Sequence, residues 1–328
     1  MVVLDILQSM LLMSFGIAVF LFAITHFSRI LQQNFKQKLQ PIFNKIGSNR
    51  FAAVGVGAGA TAIMQSSTAT TVITVGLVNV GIITLFQATA LIMGANIGTT
   101  VTSLLIALSH LQVKYLFMSL FFIGLFLRVI TSDNNPKHSK KLFIGNLFIG
   151  FGAIFIGLEI LSSSFSNSDI LQNVFYNLFS TVTFPLILIL LGAVFTAIIQ
   201  SSAASVALYM TMLTSGVLTL PSAIFLVLGS EIGTCSTTLI ASTKANTVAK
   251  KAAAMHLIFN LFSAILFAII LWPFGRYILP VFVTIIPNSA LQISIFQIIY
   301  NVISVAVLLP FIRPLNKLVD LKFSNKHS

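Results

Sequence analysis

The chain has 328 residues, 57% of them apolar and 7% charged, with a mean hydropathy of +1.03. A soluble globular protein carries about 25% charged residues, so this composition excludes a soluble enzyme and a disordered chain alike. The single Cys235 excludes an internal disulfide framework, and the net charge of +12 reads as basic loops of a membrane protein rather than as a nucleic-acid surface.

Apolar stretches long enough to cross a bilayer, about 20 residues at 1.5 Å each, are predicted near Leu11–Phe27, Thr84–Leu108, Tyr115–Ile130, Leu142–Leu161, Pro221–Ser242, Ala252–Trp272 and Leu291–Ile312. The first does not read as a signal peptide, because Met1–Met10 carries no basic residue. Four basic clusters lie between and after these spans: Arg29 to Arg50, Arg128 to Lys141, Lys244 to Lys251, and Arg313 to Lys326. Placing all four in the cytoplasm leaves only Lys114 and Arg276 outside. That arrangement predicts seven crossings of the plasma (inner) membrane, with the N-terminus outside and the C-terminus inside.

Two apolar segments, at 51–83 and 184–218, are each interrupted by Gln-Ser-Ser. Their arms, of about 15 residues, are too short for a comfortable crossing. The expectation is a pair of re-entrant helical hairpins, with polar tips near the midplane and backbone shielded by protein or lining a wet cavity.

The chain repeats itself. Thr61–Ala107 aligns without a gap on Thr196–Ser242, at a constant offset of 135 residues, and about 18 of the 47 positions are identical. Gln65-Ser66-Ser67 matches Gln200-Ser201-Ser202, Gly81 matches Gly216, and Gly94-x-x-Ile97-Gly98-Thr99 matches Gly229-x-x-Ile232-Gly233-Thr234. Three crossings between the hairpins make the repeats antiparallel, a common construction of secondary transporters. Repeat 1 is assigned to 11–130 and repeat 2 to 142–272, followed by a final helix at 291–312 and a basic cytoplasmic tail at 313–328. The whole forms one transmembrane transport unit of all-α class.

The motifs carry definite chemistry. If the chain turns at Gln65-Ser66-Ser67, then Thr68 and its neighbours open a half-helix whose free N–H groups and positive dipole end make an anion site. The half-helix before the turn points carbonyls at the same place, and carbonyls and hydroxyls suit a small cation. Gln200, Ser201, Ser202 and Ser205 offer the same groups in the second copy. Paired glycines in Gly94–Thr100 and Gly229–Thr234 predict local unwinding of a crossing helix. Unwinding would present Asn96, Thr99 and Thr100 in one copy, Glu231 and Thr234 in the other. No Lys or Arg lies in any of these four breaks, so a bound anion would need a co-bound cation. Small residues also serve simple helix packing, but two motif pairs in register favour a site. Glu231, an acid at membrane depth, is a site candidate by default. His256 and Asn260 share a helical face and read as supporting hydrogen-bonding residues. The chain shows no metal-ligand spacing, nucleotide loop or catalytic triad, so neither an enzyme nor a cofactor is expected.

Gln65-Ser66-Ser67-Thr68-Ala69-Thr70-Thr71, Gly94-Ala95-Asn96-Ile97-Gly98-Thr99-Thr100, their second copies and Met255–Asn260 resemble the type II sodium–phosphate cotransporter family. The resemblance covers roughly Phe15 to Asn260. It implies an inverted-repeat carrier moving inorganic phosphate with sodium. It also places substrate and sodium at Gln65, Ser66, Ser67, Thr68, Asn96 and Thr99, with Gln200, Ser201, Ser202, Glu231 and Thr234. Sodium is assigned to Ser66, Ser67, Ser201, Ser202 and carbonyls of the unwound segments. Two departures stand out: Ala203 replaces the usual third hydroxyl, and Glu231 replaces an Asn. Unlike some bacterial relatives, no soluble regulatory domain is expected after the membrane region. Expected partners are phosphate, sodium and lipid, without nucleic acid, and a homodimer is left open. A carrier of another small oxyanion or carboxylate, a phosphate exporter, and a channel or structural membrane protein are the alternatives.

Overall fold

The computed structural model describes residues 2–44, 49–131 and 139–324. Lys45, Lys137 and Lys326 of the basic clusters therefore lie outside the described residues. The chain is 90% helical, with no strand among the described residues. In order, the helices are α1 (Val2–Asn44), α2 (Arg50–Met64), α3 (Ser67–Asn79), α4 (Leu85–Ala107), α5 (Lys114–Ile130), α6 (Ser139–Ser166) and α7 (Asp169–Thr181). They continue with α8 (Pro185–Ile199), α9 (Ser202–Thr214), α10 (Leu220–Ser242), α11 (Thr247–Ile285), α12 (Ser289–Leu308) and α13 (Ile312–Ser324).

Helices α2, α3 and α4 reappear as α8, α9 and α10 with bounds shifted by the same 135 residues as the sequence repeat. Local chemistry sets these bounds twice over. Gly81 and Gly216 take positive φ (76° and 74°), where a side chain would be strained, and each closes the helix before it in the same way. Ile82 N donates to the Leu77 carbonyl at 2.9 Å, and Val217 N to that of Met212 at 2.8 Å. Thr84 then caps α4 in a reciprocal pair with Gln87, and Thr219 caps α10 from the backbone N–H of Ser222.

The packing repeats as well. Helix α2 lies along α4 and α8 along α10, while α3 reaches α10 and α9 reaches α4. A Cβ on Gly94 would overlap the carbonyl oxygen of Val54, and one on Gly229 would overlap that of Ile189. Both helices are continuous through their Gly-x-x-Ile-Gly-Thr motifs. This corrects the expectation of unwinding: the glycines have given up their side chains so that two helix backbones can touch. The carbonyls of these segments remain inside a helix and are not presented as free ligands.

Among the described residues six helices, α1, α4, α6, α10, α11 and α12, are long and apolar enough to span a bilayer. That is one fewer than the seven expected crossings. The span placed at Tyr115–Ile130 is α5, whose 17 residues stand at the lower end of the range of spanning lengths, about 17–25. The final helix ends at Leu308, and the expected tail folds as α13, which buries Leu315 and Val319 against Met255 and pairs Asp320 with Lys251 at 2.7 Å. Glu159, beside the turn after α4, pairs with Lys114 at 2.6 Å.

Side chains sort as a lipid solvent demands. Phe22, Val129, Ile198 and Ile285 are more than 70% exposed. Thr61, Thr70, Thr74, Asn96, Glu231, Asn260, Gln297 and Asn301 are buried. Apolar groups outside and hydrogen-bonded polar groups inside is the arrangement of a chain surrounded by hydrocarbon.

Candidate functional site

Both Gln-Ser-Ser motifs form the turns between short helices. Gln65 and Gln200 adopt the left-handed conformation (φ 50° and 57°) that ends α2 and α8, and are the only non-glycine residues with positive φ among those described. A left-handed residue of this kind costs about 1–2 kcal/mol. The next residue swings to extended backbone and caps the following helix. Ser66 Oγ accepts from Ala69 N at 3.1 Å, and Ser201 Oγ from Ala204 N at 3.3 Å. Each turn is pinned from below by the same hydroxyl pair: Thr61 to Thr70 at 2.9 Å, and Thr196 to Ser205 at 2.7 Å. Gln65 is held further, its amide donating to the Ala62 carbonyl at 2.6 Å and accepting from Thr102 at 3.0 Å. Its carbonyl accepts from Ser28 of α1 at 3.0 Å.

The two turns, 135 residues apart in sequence, open into one cavity of about 240 Å³. Its walls include Gln65, Ser66, Ser67 and Thr68 from the first turn, Gln200, Ser201, Ser202 and Ala203 from the second, and Thr99 and Thr102 from α4. Helix α1 adds Ile24, Thr25, Ser28 and Gln32. None of the described lining residues is charged. Positive potential comes instead from the N-termini of α3 and α9, whose first-turn N–H groups lack partners within the helix. With one lone pair of Ser66 or Ser201 taken by its cap, the hydroxyl proton and a second lone pair remain for a ligand. Donors for an anion and oxygens for a small cation thus lie side by side.

Of the residues singled out in sequence, this cavity collects Gln65, Ser66, Ser67, Thr68, Thr99, Gln200, Ser201 and Ser202. It does not collect the others. Thr100 and Thr234 bond backbone carbonyls of their own helices, and Ser205 serves the Thr196 pin. Asn96 bonds Asn260, whose amide also reaches the Glu231 carbonyl at 3.0 Å. The Glu231 carboxylate accepts from Gln297 Nε2 at 2.8 Å, and Gln297 in turn accepts from Ser103. His256 Nδ1 lies 3.1 Å from Thr238 Oγ1, which lies 3.1 Å from Thr71. Glu231, Asn96 and Asn260 therefore form a separate buried network joining α4, α10, α11 and α12. The α1 wall lies outside the duplicated segments, so their motifs do not point to it. Thr25, Ser28 and Gln32 share one helical face, but His26, Arg29, Gln33 and Asn34 stand among or beside them, so no polar stripe sets that face apart in the sequence.

A family model described as Na+/Pi-cotransporter matches residues 19–163 and 167–279. An uncharacterized protein, YqeW, of Bacillus subtilis is 30% identical over 264 residues, covering 80% of this chain and 81% of its own. The "Putative inorganic phosphate export protein YjbB" of Escherichia coli K12 is 27% identical over 296 residues, 89% of this chain. The chain spans about half, 52%, of that relative's length. The "Sodium-dependent phosphate transport protein 2C" of Rattus norvegicus is 49% identical over a 59-residue segment, 18% of this chain and 10% of its own. No solved structure matches. A membrane-type helical fold, duplicated Gln-Ser-Ser turns around one polar cavity and a family match over most of the length agree, and the chain belongs to the Na+/Pi-cotransporter family.

Proposed function

We propose that the chain is a secondary transporter that moves inorganic phosphate together with sodium, and that the cavity between the Gln-Ser-Ser turns is where the two bind. The observation that carries this reading is the meeting of both turns, each a capped helix N-terminus, in one polar cavity with no charged residue among its described walls. A phosphate held only by hydroxyls and helix dipoles lacks a full counter-charge, and a co-bound cation at the serine oxygens supplies it. Binding of either ion thereby favours the other, which is the physical content of coupling.

In this reading the α2–α3 and α8–α9 pairs are re-entrant hairpins entering from opposite sides, and the two repeats are inverted. The 15- and 13-residue helices, too short to cross, and the shared 135-residue offset support it. Alternating access then exposes the cavity to each side in turn. Basic loops support an inner-membrane orientation with the C-terminus in the cytoplasm. The name of YjbB favours a second reading, in which the same site serves net export; the cavity binds the same solutes in both, and the ion gradients set the direction.

Uptake of labelled phosphate into proteoliposomes tests the proposal. An inward sodium gradient is expected to drive accumulation, and replacing sodium by potassium to remove it. Equal accumulation in both salts would discard sodium coupling.

A further inference from the structure

A second cavity, of about 440 Å³, opens where the start of α2 meets the 3₁₀ turn Leu309–Phe311 that joins α12 to α13. Its described lining is Asn49, Arg50, Phe51, Phe86, Pro310 and Arg313, two guanidinium groups and no acid. Each guanidinium rests near an aromatic ring. Arg50 Cζ lies 5.3 Å from the centroid of Phe51, and Arg313 Cζ lies 5.9 Å from that of Phe86. Arg50 also donates to the Leu309 carbonyl at 3.4 Å. The ion pairs among the described residues, Lys114–Glu159 and Lys251–Asp320, involve neither arginine. Asn49 already takes the N–H groups of Phe51 and Ala52 for its cap, so the arginines rather than the helix end supply the binding groups.

We propose that this cavity binds a phosphoryl anion through Arg50 and Arg313, either the phosphate of an anionic lipid headgroup or free phosphate. Two like charges facing one void repel until an anion lies between them. The planar guanidinium fork matches phosphate oxygens two at a time. The aromatic rings hold the forks in place, and Phe51, 66% exposed, continues the site onto the outer surface of the helix bundle. The volume lies in the range of small-molecule sites, about 300–1,000 Å³, and exceeds that of the cavity at the Gln-Ser-Ser turns. An occupant would tie the base of the first helix pair to the α12–α13 junction, so the site is suited to sensing anion supply or membrane composition. The inference does not depend on the transport reading.

Native mass spectrometry of the full chain in detergent tests it, in a Ser66→Ala/Ser201→Ala background that silences the first cavity. Dioleoyl phosphatidic acid, dioleoyl phosphatidylcholine and inorganic phosphate are the probes. Arg50→Gln/Arg313→Gln is expected to weaken anion retention by about tenfold or more, the scale of one lost charge-assisted bond. Arg313→Gln alone, at an exposed position, is expected to show a smaller loss and guards against misfolding of the double variant. Arginine-dependent retention of phosphatidic acid over phosphatidylcholine identifies a headgroup site; arginine-dependent retention of inorganic phosphate alone identifies a free-phosphate site. If neither anion is retained, or retention is the same in all three proteins, the site does not exist.

Discussion

Ser66 has two separable jobs, and two substitutions pull them apart. As the cap of α3 its hydroxyl accepts one N–H, from Ala69 at 3.1 Å. As a cavity wall it would, under the proposed function, offer its proton to a bound anion. Ser66→Ala removes both. Loss of the cap costs about 1 kcal/mol, which for a chain of this size lowers the melting temperature by only about 1–2 °C. Loss of a hydrogen bond to a charged ligand costs about 1.5–3 kcal/mol, or roughly ten- to a hundredfold in phosphate affinity. Ser66→Asp keeps the cap, and its charge is favoured at a helix N-terminus. It also places a carboxylate beside the anion. At about 4 Å and an effective dielectric constant of about 20 the repulsion is about 4 kcal/mol, roughly a thousandfold in affinity. The expected order in phosphate binding is wild type, then Ala, then Asp, whereas in thermal stability Asp stands above Ala. Labelled-phosphate binding and thermal unfolding, measured on the same detergent preparations, give both orders. If Ser66→Asp binds phosphate as well as wild type, or if affinity simply follows melting temperature across the set, the turn is only a packing element.

The remaining expectations concern the scaffold and the other walls. Gly94→Ala and Gly229→Ala force a Cβ into a backbone carbonyl and are expected to lower stability by about 1–3 kcal/mol or more. Gly59→Ala, where a Cβ meets nothing within 4 Å, is expected to be neutral or stabilising by up to ~1 kcal/mol; melting temperatures in detergent check the contrast, and equal losses at all three would refute the close-approach argument. Gln32→Ala, on the α1 wall, is expected to weaken phosphate binding about threefold or more, the scale of one ordinary hydrogen bond, with melting unchanged; unaltered affinity would remove α1 from the site. Glu231→Gln retains an oxygen to accept from Gln297 and is expected to fold normally, whereas Glu231→Ala strands that donor at a cost of about 1–3 kcal/mol. Equal melting temperatures for the two variants would show that the carboxyl–amide bond contributes nothing.

Much of this was legible in the sequence because the repeat duplicates its punctuation. Gln65 and Gln200 mark left-handed turns, Gly81 and Gly216 mark left-handed helix ends, and every helix bound between them recurs at one offset. The Gly-x-x-Ile-Gly-Thr motifs were legible as special but not in kind. A glycine in a membrane helix permits either a broken backbone or a touching neighbour, and only the neighbour's position, Val54 against Gly94, decides which. The same ambiguity misplaced Asn96, Glu231 and Thr234, whose polarity is real but is spent on Asn260, Gln297 and their own helices. Helix α13 reads as a tail in sequence because the stretch after Arg313 is too short to fold alone, and its Leu315 and Val319 find burial only against Met255, which is distant in sequence. The walls given by Thr25, Ser28 and Gln32 required knowing that α1 passes the first turn, a long-range contact that no local pattern encodes.

Cysteines introduced singly at Ser67 and Ser202 bring the account to its plainest test, since Cys235 is buried. Both should react with a charged, membrane-impermeant thiol reagent, and phosphate with sodium should protect both together, while either ion alone protects less. Two thiols that ignore the reagent, or that phosphate and sodium shield at only one turn, would mean that the turns do not share a solute.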